Sequence, residues 1–271
     1  MTSIKNLPLV SVIIPTYNSA KTLPITLASI ARQNYPNIEV IVIDRYSTDG
    51  TVEIASAFGA RVVQKNTERA MAKNIGLLLA TGKYVLFLDS DMELTSTVIH
   101  ECVTLAEKDP LIGAIVIPET TSGLTLLAKI RRYERQFYHN TYIESPRFYR
   151  REVALKAGGF DPIVFYEEAT LAYKLEKLGF KKGRISSYII HHEEHMTMTE
   201  LIRKRYYYGR TSHIYTTRYR DYARFQLNPA YRLRLFFKRK FWEHPHMALA
   251  VLALKGLEYL VTKLATLSRT T

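Results

Sequence analysis

The chain has 271 residues, of which 47% are hydrophobic, and this is enough for one sizeable core or for a core with an appendage. Its one cysteine, Cys102, excludes an intrachain disulfide and fits a reducing compartment. The formal net charge is +13, and residues 201–242 carry +11 of it, because 12 Lys and Arg stand there against the single acid Asp221. The same segment holds 12 aromatic residues. We therefore expect a near-neutral first part, residues 1–200, and a basic, aromatic second part, residues 201–271.

The first part alternates short apolar runs with segments of helical periodicity. Apolar, β-branched runs predict four buried strands, at residues 9–14, 39–44, 61–64 and 84–88. Apolar spacing and stop signals predict helices at residues 21–33, 51–58 and 68–80. Strands separated by helices indicate right-handed crossovers, and hence an α/β fold with a mostly parallel sheet flanked by helices. Because ligands bind beyond the carboxyl ends of such strands, we expect the polar ends of the first, second and fourth strands to share one crevice.

Two aspartates, one residue apart, follow the fourth predicted strand in the sequence YVLFLDSDMEL. In an extended chain Asp89, Asp91 and Glu93 would face the same way, and a divalent cation would remove their mutual repulsion. Carboxylates suit Mg²⁺ or Mn²⁺, and Mg²⁺ is commonly bound by one or two of them together with substrate phosphates. The alternative is an acidic turn that caps the next helix, which starts near Thr95. The position at the crevice favours a metal site.

Five ordered segments resemble the family 2 glycosyltransferases, which are inverting enzymes with the GT-A fold. The segments are VSVIIPTYN at 10–18, VIVIDRYSTDGT at 40–51, AKNIGLLLATGKYVLFLDSDMEL at 72–94, RREVALKAGGFDP at 150–162 and YEEATLAYKLEKLGF at 166–180. The resemblance covers residues 8–195 and implies transfer of a sugar from a nucleotide sugar. It also implies that Asp89 and Asp91 hold a metal on the diphosphate. By the same resemblance the nucleotide sugar is bound by Pro15, Tyr17, Asn18, Asp44 and Ser90.

Two residues in the second segment depart from the family pattern. Arg45 follows Asp44 where a second acid is usual, and Tyr46 replaces a small residue, so the nucleotide base is not specified. An arginine at this position could equally contact phosphate. Lys73 and Asn74 resemble an Arg-Asn pair that lies near the donor in the family. The alternative for this pair is the polar face of a structural helix.

A second acidic pair, Glu167 and Glu168, begins a predicted helix that runs to about Leu178. An acid at a helix N-terminus is stabilised by up to about 1 kcal/mol, so simple capping is one interpretation. By the resemblance, Glu168 is the general base that accepts the proton of the acceptor hydroxyl, and Glu167 is the reserve candidate. A lipid phosphate acceptor is already ionised and would need no base. The pair would then only orient the substrates.

The sequence HHEEH at 191–195 follows a further predicted strand at 185–190. Its residue types suit metals, but a zinc site would need a second cluster, which the sequence does not supply. By the resemblance, His191 or His192 could reach the metal or the diphosphate, and we assign His191 to the metal set with Asp89, Asp91 and Glu93. A solvated surface histidine is the alternative.

The C-terminal segment 247–267 is apolar but interrupted by Lys255, Glu258 and Lys263, which share one side of a helix with Thr262. This pattern favours an amphipathic helix lying in a membrane interface. A spanning helix whose polar stripe meets a partner stays open. The basic segment before it would be attracted to anionic headgroups. Two rival interpretations, a single-stranded nucleic-acid binder and a degenerate transferase that only binds, leave the retained acids unexplained.

The sequence therefore predicts a transferase that moves a hexose, mannose or glucose, from a GDP- or UDP-linked donor to a lipid-linked acceptor, using Mn²⁺ or Mg²⁺. The alternative is transfer to a polyprenyl phosphate without a general base. We expect no nucleic-acid partner, and the striped C-terminal helix also allows two copies to pair. Residues 1–20 show no cleavage site of a secretory signal. We therefore expect the protein at the cell membrane with its catalytic domain on the cytoplasmic side.

Overall fold

A computed structural model describes residues 7–194, 196–237 and 239–268. By its internal contacts the chain divides into two compact units. The first unit comprises the described residues of Met1–Pro118, Ser145–Pro162 and Glu168–His191, and the second those of Glu119–Glu144, Ile163–Glu167 and His192–Thr271. The domain boundary expected near residue 200 stays a prediction.

Strands and helices are numbered here along the chain. The strands are β1 (Val10–Thr16), β2 (Ile38–Asp44), β3 (Arg61–Gln64), β4 (Tyr84–Phe87), β5 (Met92–Leu94), β6 (Ile112–Val116), β7 (Glu119–Ser122), β8 (Phe148–Arg150), β9 (Lys181–Arg184) and β10 (Ile189–His192). The helices of the first two-thirds are α1 (Leu23–Ala31), α2 (Thr51–Ala57), α3 (Arg69–Leu79), α4 (Val98–Lys108), α5 (Leu126–Arg135), α6 (Arg151–Lys156) and α7 (Glu167–Lys177). The later helices are α8 (Met198–Gly209), α9 (Ser212–Arg218), α10 (Arg220–Gln226), α11 (Pro229–Phe236), α12 (Arg239–Glu243) and α13 (Pro245–Leu267).

Seven strands of the first unit form one sheet in the order β3-β2-β1-β4-β8-β6-β9. β1 pairs in parallel with β2 and β4, and β2 pairs in parallel with β3, which confirms the predicted mostly parallel α/β sheet. β8 is the exception, since it runs antiparallel to both β4 and β6. Because β2, β1 and β4 are neighbours with one direction, their carboxyl ends lie at one edge of the sheet.

The sheet is covered on both faces because successive side chains of its central strands point to opposite sides. Val12 and Ile14 of β1 belong to one buried apolar cluster, whereas Ile13 belongs to the other. α3 approaches the second face so closely that a Cβ added to Gly76 would lie 2.3 Å from Ile13 Cγ2. A glycine is therefore required at this helix position by packing, not by a turn.

The later strands differ from the expectation. The strand predicted at residues 185–190 is wrong over its first four residues, since β10 covers only Ile189–His192 and pairs antiparallel with β5. β9 has the polar sequence KKGR and joins the sheet in parallel with β6. An edge strand such as this is defined by its pairing partner and carries little apolar signal of its own.

The second unit is mainly helical and has its own aromatic core. Five residues at its centre are Tyr133, Phe137, Phe236, Val251 and Leu254. Its longest helix is α13, with 23 residues, and this corresponds to the helix predicted at 247–267. α8 starts with a reciprocal cap, in which Thr197 bonds the backbone of Glu200 and Glu200 bonds back. No helix in the described part of the chain combines the length and apolarity that a membrane span requires.

Candidate active site

The acids that follow β4 point in different directions. β4 ends at Phe87, and the backbone then turns, so that the Met92 amide donates to the Asp89 carbonyl at 3.2 Å. The alternation of an extended strand is lost in this turn. The expectation that Asp89, Asp91 and Glu93 would crowd one face is therefore wrong, and each acid has its own partner.

Asp89 lies against two cationic side chains of the first unit. Its Oδ2 is 3.3 Å from Arg147 Nη1, and its Oδ1 is 4.0 Å from Lys73 Nζ. Burial opposes ionisation, but Lys73, Arg147 and Arg69 outweigh it and hold the pKa of this carboxyl well below its usual range. Oδ1 is buried and accepts no hydrogen bond from any described residue. This oxygen therefore retains acceptor capacity for a ligand.

Lys73 joins the two predicted acidic clusters. Its ammonium group is fully buried on α3 and lies 2.8 Å from Glu168 Oε1, at the start of α7. Burial raises the pKa of Glu168, but Lys73 and then Arg69 lower it by more, so the carboxylate is ionised at neutral pH. The Glu168 side chain keeps 20% exposure, whereas Glu167 is buried. Of the two glutamates, Glu168 is the one that a substrate can approach.

Asp91 and Glu93 have other partners. Asp91 Oδ2 lies 3.1 Å from His191 Nε2, so the sequence-predicted pair of metal candidates is brought together. Glu93 instead pairs with Arg32 at 3.2 Å. Among the described residues, no three His, Cys, Asp or Glu side chains are close enough to hold a metal by themselves.

The second histidine of the predicted cluster has different neighbours. His192 Nδ1 lies 3.1 Å from Glu194 Oε1 and 3.2 Å from Ser122 Oγ. His195 falls outside the residues that the structure describes. A zinc site in HHEEH therefore has no support from the described residues.

Asp44, at the end of β2, holds a loop together. Its Oδ1 accepts from Thr16 Oγ1 at 2.9 Å and from Ser47 Oγ at 2.5 Å, and its Oδ2 accepts from the Ser47 amide at 2.8 Å. Burial raises its pKa, and these hydrogen bonds lower it by more. The side chain is fully buried. The hydrogen bonds of Asp44 fix the loop that starts at Arg45. Contact of Asp44 with a base or ribose stays a prediction.

Beside this loop, Tyr17 exposes an aromatic ring at the end of β1. The ring is 61% exposed, and the guanidinium carbon of Arg45 lies 5.7 Å from its centroid. Arg45 also pairs with Glu68 at 3.2 Å. Asn18 adopts a positive φ of 47° and accepts from the Thr48 amide at 3.0 Å. Tyr17 and Arg45 thus form an open ring-and-cation pair at the sheet edge.

Three remaining predicted donor residues have mainly structural contacts. Both polar atoms of the Asn74 amide bond the backbone of Phe160 at 2.8 Å, which supports the structural interpretation of this residue. Ser90 donates to Ser19 Oγ at 2.9 Å. Pro15 is half-buried within β1.

The structure adds two cations that sequence reasoning did not assign. Arg69 lies four positions before Lys73, so the two share a face of α3, and this spacing was a usable signal. Arg147 precedes the antiparallel strand β8, 58 positions after Asp89. No local pattern links it to the site, because only the pairing of β8 with β4 brings it there.

These donors fit a hard divalent cation. Asp91 and Asp89 offer carboxylate oxygens at the strand end, and one Asp89 oxygen is buried without a hydrogen bond from the described residues. Mg²⁺ and its analogues commonly use only one or two protein carboxylates when phosphates complete the coordination. The lack of a three-residue protein cluster is therefore compatible with a cation that binds together with a diphosphate.

The sequence model described as "Glycosyl transferase family 2" matches residues 11–161, which is more than half of the chain. The chain belongs to glycosyl transferase family 2. Its relatives include a PGL/p-HBAD biosynthesis glycosyltransferase of Mycobacterium bovis (strain BCG / Pasteur 1173P2), which is 41% identical over 113 residues. That alignment covers 39% of this chain and 42% of the relative, so the chain spans less than half of the relative's length.

Two solved structures resemble this family 2 glycosyltransferase over nearly its whole length. The mannosyltransferase PcManGT from Pyrobaculum calidifontis, in complex with GDP-Man and Mn²⁺, has a TM-score of 0.59 at 22% identity, covering 98% of this chain and 81% of PcManGT. S. aureus TarS 1-349, in complex with UDP-GlcNAc, has a TM-score of 0.59 at 16% identity, covering 97% and 91%. These likenesses establish the GT-A fold predicted from the five sequence segments.

Proposed function

We propose that this glycosyltransferase moves a hexose, mannose or glucose, from a GDP- or UDP-linked donor to a lipid-linked acceptor at the cytoplasmic face of the cell membrane. The observation that carries the proposal is the meeting of Asp89, Lys73 and Glu168 at the carboxyl edge of the sheet, next to Asp91. A nucleotide-sugar donor is supported by the GDP-Man and UDP-GlcNAc complexes of the two structural neighbours. The aromatic ring of Tyr17 offers a stacking surface for the nucleotide base, with Arg45 beside it.

The same edge supplies the charge that a departing nucleoside diphosphate needs. Asp91, which is paired with His191, and Asp89 would hold Mn²⁺ or Mg²⁺ only together with the phosphates of the donor, and the Mn²⁺ in the PcManGT complex supports a divalent ion. When bound, such a cation acts as a Lewis acid for the leaving phosphates. Arg147 and Lys73 neutralise Asp89, so that the acidic edge does not repel the donor.

The acceptor oxygen attacks the anomeric carbon from the face opposite the leaving diphosphate, and the configuration inverts. With a hydroxyl acceptor, Glu168 accepts the proton as the new carbon–oxygen bond forms. Its exposed edge and its ionised state at neutral pH allow this role. The contact with Lys73 also makes Glu168 a weak base, because a carboxylate of lowered pKa has little driving force for proton transfer.

The contact between Lys73 and Glu168 favours a second candidate function, transfer of the sugar to a polyprenyl phosphate. A phosphate oxygen is already ionised, so it attacks without losing a proton, and the carbon–oxygen bond to the nucleoside diphosphate breaks. Glu168 then orients Lys73 and the substrates. The two candidates share a donor, a metal and a stereochemical outcome, and they differ in what the glutamate must do.

The test is transfer from radiolabelled GDP-mannose and UDP-glucose, with Mn²⁺ or Mg²⁺, to a polyprenyl phosphate and to a lipid-linked glycan. We expect wild-type protein to form product with one of the two donors. Asp91→Ala should form at least about 100-fold less product, which is typical for loss of a charge-stabilising group. The control Glu53→Ala, at an exposed position, should form as much product as wild type. Glu168→Gln separates the acceptors, since it removes transfer to a hydroxyl and spares transfer to a phosphate. Absence of turnover with every donor and metal, in folded wild-type protein, would refute the proposal.

A further inference from the structure

Two charged residues of α13, Lys255 and Glu258, face the interior of the second unit. Lys255 Nζ lies 2.5 Å from Glu134 Oε1 on α5 and 2.6 Å from Glu258 Oε2. Glu258 also pairs with Arg205 of α8 at 3.1 Å. The Lys255 and Glu258 side chains are only 14% and 9% exposed. Lys255 and Glu258, two members of the polar stripe that the sequence would place in water, are therefore used for internal ion pairs.

The opposite face of α13 is apolar and exposed to solvent. Its outward residues recur every three or four positions, which is the spacing of one helical face. They are Leu249, Ala253, Gly256, Leu260, Leu264 and Leu267. The four leucines are 57–62% exposed. This row, named the outward stripe, is about 27 Å long at 1.5 Å per residue.

Soluble monomers rarely expose a continuous apolar row of this size, so the outward stripe requires a partner surface. Within α13, all of which is described, Lys263 is the one charged residue at an exposed position. Tyr259 is 53% exposed beside the stripe. Before the helix, Trp242 is 69% exposed. Exposed tyrosine and tryptophan next to an apolar surface are typical of contact with a membrane interface.

α8 lies alongside α13 and supplies positive charge. The helices pack so closely that a Cβ added to Gly209 would lie 2.9 Å from Ala265 Cβ, and Tyr206 Oη bonds Ser268 Oγ at 2.9 Å. Arg203 and Lys204 of α8 are exposed. Exposed leucines on α13, with exposed arginine and lysine on the helix packed against it, match a bilayer that contains anionic lipids.

We propose that the outward stripe of α13 and the exposed Arg203 and Lys204 of α8 bind the surface of an anionic lipid bilayer, with α13 parallel to the membrane plane. The inference rests on the proposed function, in which a lipid-linked acceptor lies at a membrane. A second copy of the chain fits less well, because the 12 Lys and Arg of residues 201–242 would be brought towards the same charges on its partner. An anionic bilayer can bury the apolar outward stripe and also attract the positive charge of residues 201–242.

The experiment is flotation of the purified full chain with phosphatidylcholine vesicles, with and without phosphatidylglycerol. We expect binding to the anionic vesicles, and weaker binding when salt rises from about 0.1 M to about 1 M, because the Debye length falls from about 10 Å to about 3 Å. The double variant Leu260→Glu/Leu264→Glu should bind at least about tenfold more weakly. Leu78→Glu is the matched control, since Leu78 is a 69% exposed leucine on α3, and it should bind as wild type does.

Flotation and turnover are measured separately, in vesicles and in detergent. Wild-type protein that turns over its donor but does not float overturns this inference and leaves the proposed function standing. Equal flotation of the double variant and wild type also overturns it, as does a wild-type dimer in solution that the double variant abolishes. Protein that floats as expected but turns over no donor supports the membrane surface and refutes the proposed function.

Discussion

Replacing Lys73 with methionine should destabilise the folded protein by about 3 kcal/mol at pH 7. The ammonium group is fully buried, 2.8 Å from Glu168 and 4.0 Å from Asp89. With an effective dielectric constant of about 20, these distances correspond to about 6 and about 4 kcal/mol of attraction, from which desolvation must be subtracted. Removal of one partner of a buried pair costs about 3–5 kcal/mol. Because Glu168 keeps 20% exposure and Asp89 retains Arg147, we expect the lower limit.

The stability deficit of Lys73→Met should depend on pH, and the direction follows from the pKa of Glu168. In the wild type the lowered pKa of Glu168 stabilises the fold above the unfolded pKa, about 4.3, and that contribution is lost as pH falls through the folded value. Without Lys73, the largest of the charges that lower the pKa of Glu168 is gone and only Arg69 and Arg147 still oppose the effect of burial, so we expect this pKa to rise above its unfolded value. The variant then takes up a proton on folding, so its deficit relative to wild type should shrink between pH 7 and pH 5.

Urea unfolding followed by far-UV circular dichroism measures both effects, since the only tryptophan, Trp242, is exposed and reports poorly on the core. Lys83→Met is the matched control. Lys83 lies 2.6 Å from Glu107, but the two side chains are 51% and 42% exposed. Such surface pairs contribute at most about 1 kcal/mol. Equal losses of stability in the two variants would contradict a buried ion pair between Lys73 and Glu168. A deficit for Lys73→Met that does not change with pH would contradict it as well.

Three further predictions concern packing, capping and reactivity. Gly76→Ala should lose about 1–3 kcal/mol in urea unfolding, because its Cβ would meet Ile13 Cγ2 at 2.3 Å, and unchanged stability would contradict the close approach of α3 to the sheet. Thr197→Ala should lose about 1 kcal/mol by removing the cap it forms with Glu200, and a loss of amide-exchange protection confined to the first turn of α8 would report the same event. The Cys102 thiol is fully buried, and burial raises its pKa, so it should react with a thiol reagent only after unfolding. Rapid reaction of the native protein would argue against its place in the core.

The sequence predicted the parts of the fold that depend on local pattern. The first four strands and the three helices between them were found within about two residues, because buried parallel strands read as continuous apolar runs and their crossover helices as periodic ones. β9 could not be found in this way, since its sequence KKGR has no apolar pattern and its conformation depends on pairing with β6. The placement of Asp89 and Glu168 followed from motifs. Their shared contact with Lys73 did not, because it joins positions 95 residues apart.

The directions of the acids after β4 were mispredicted for a related reason. The period-two rule holds only while the backbone stays extended, and the turn that begins at Asp89 ends that condition before Asp91 is reached. α13 shows the same limit at the level of a helix. The sequence placed Lys255, Glu258 and Lys263 on one polar side, but the contact of Lys255 with Glu134 shows that this side faces the protein, and Lys263 is exposed instead.

The aromatic core of the second unit has a consequence for any shortened version of the chain. Tyr133 and Phe137 lie far upstream of the helices that bury them, and Phe236, Val251 and Leu254 cover them from the far end of the polypeptide. A protein ended at residue 200 would keep α5 and lose its cover, leaving two large rings in water. Such a fragment should self-associate even though every predicted active-site residue is present, so studies of catalysis call for the whole polypeptide.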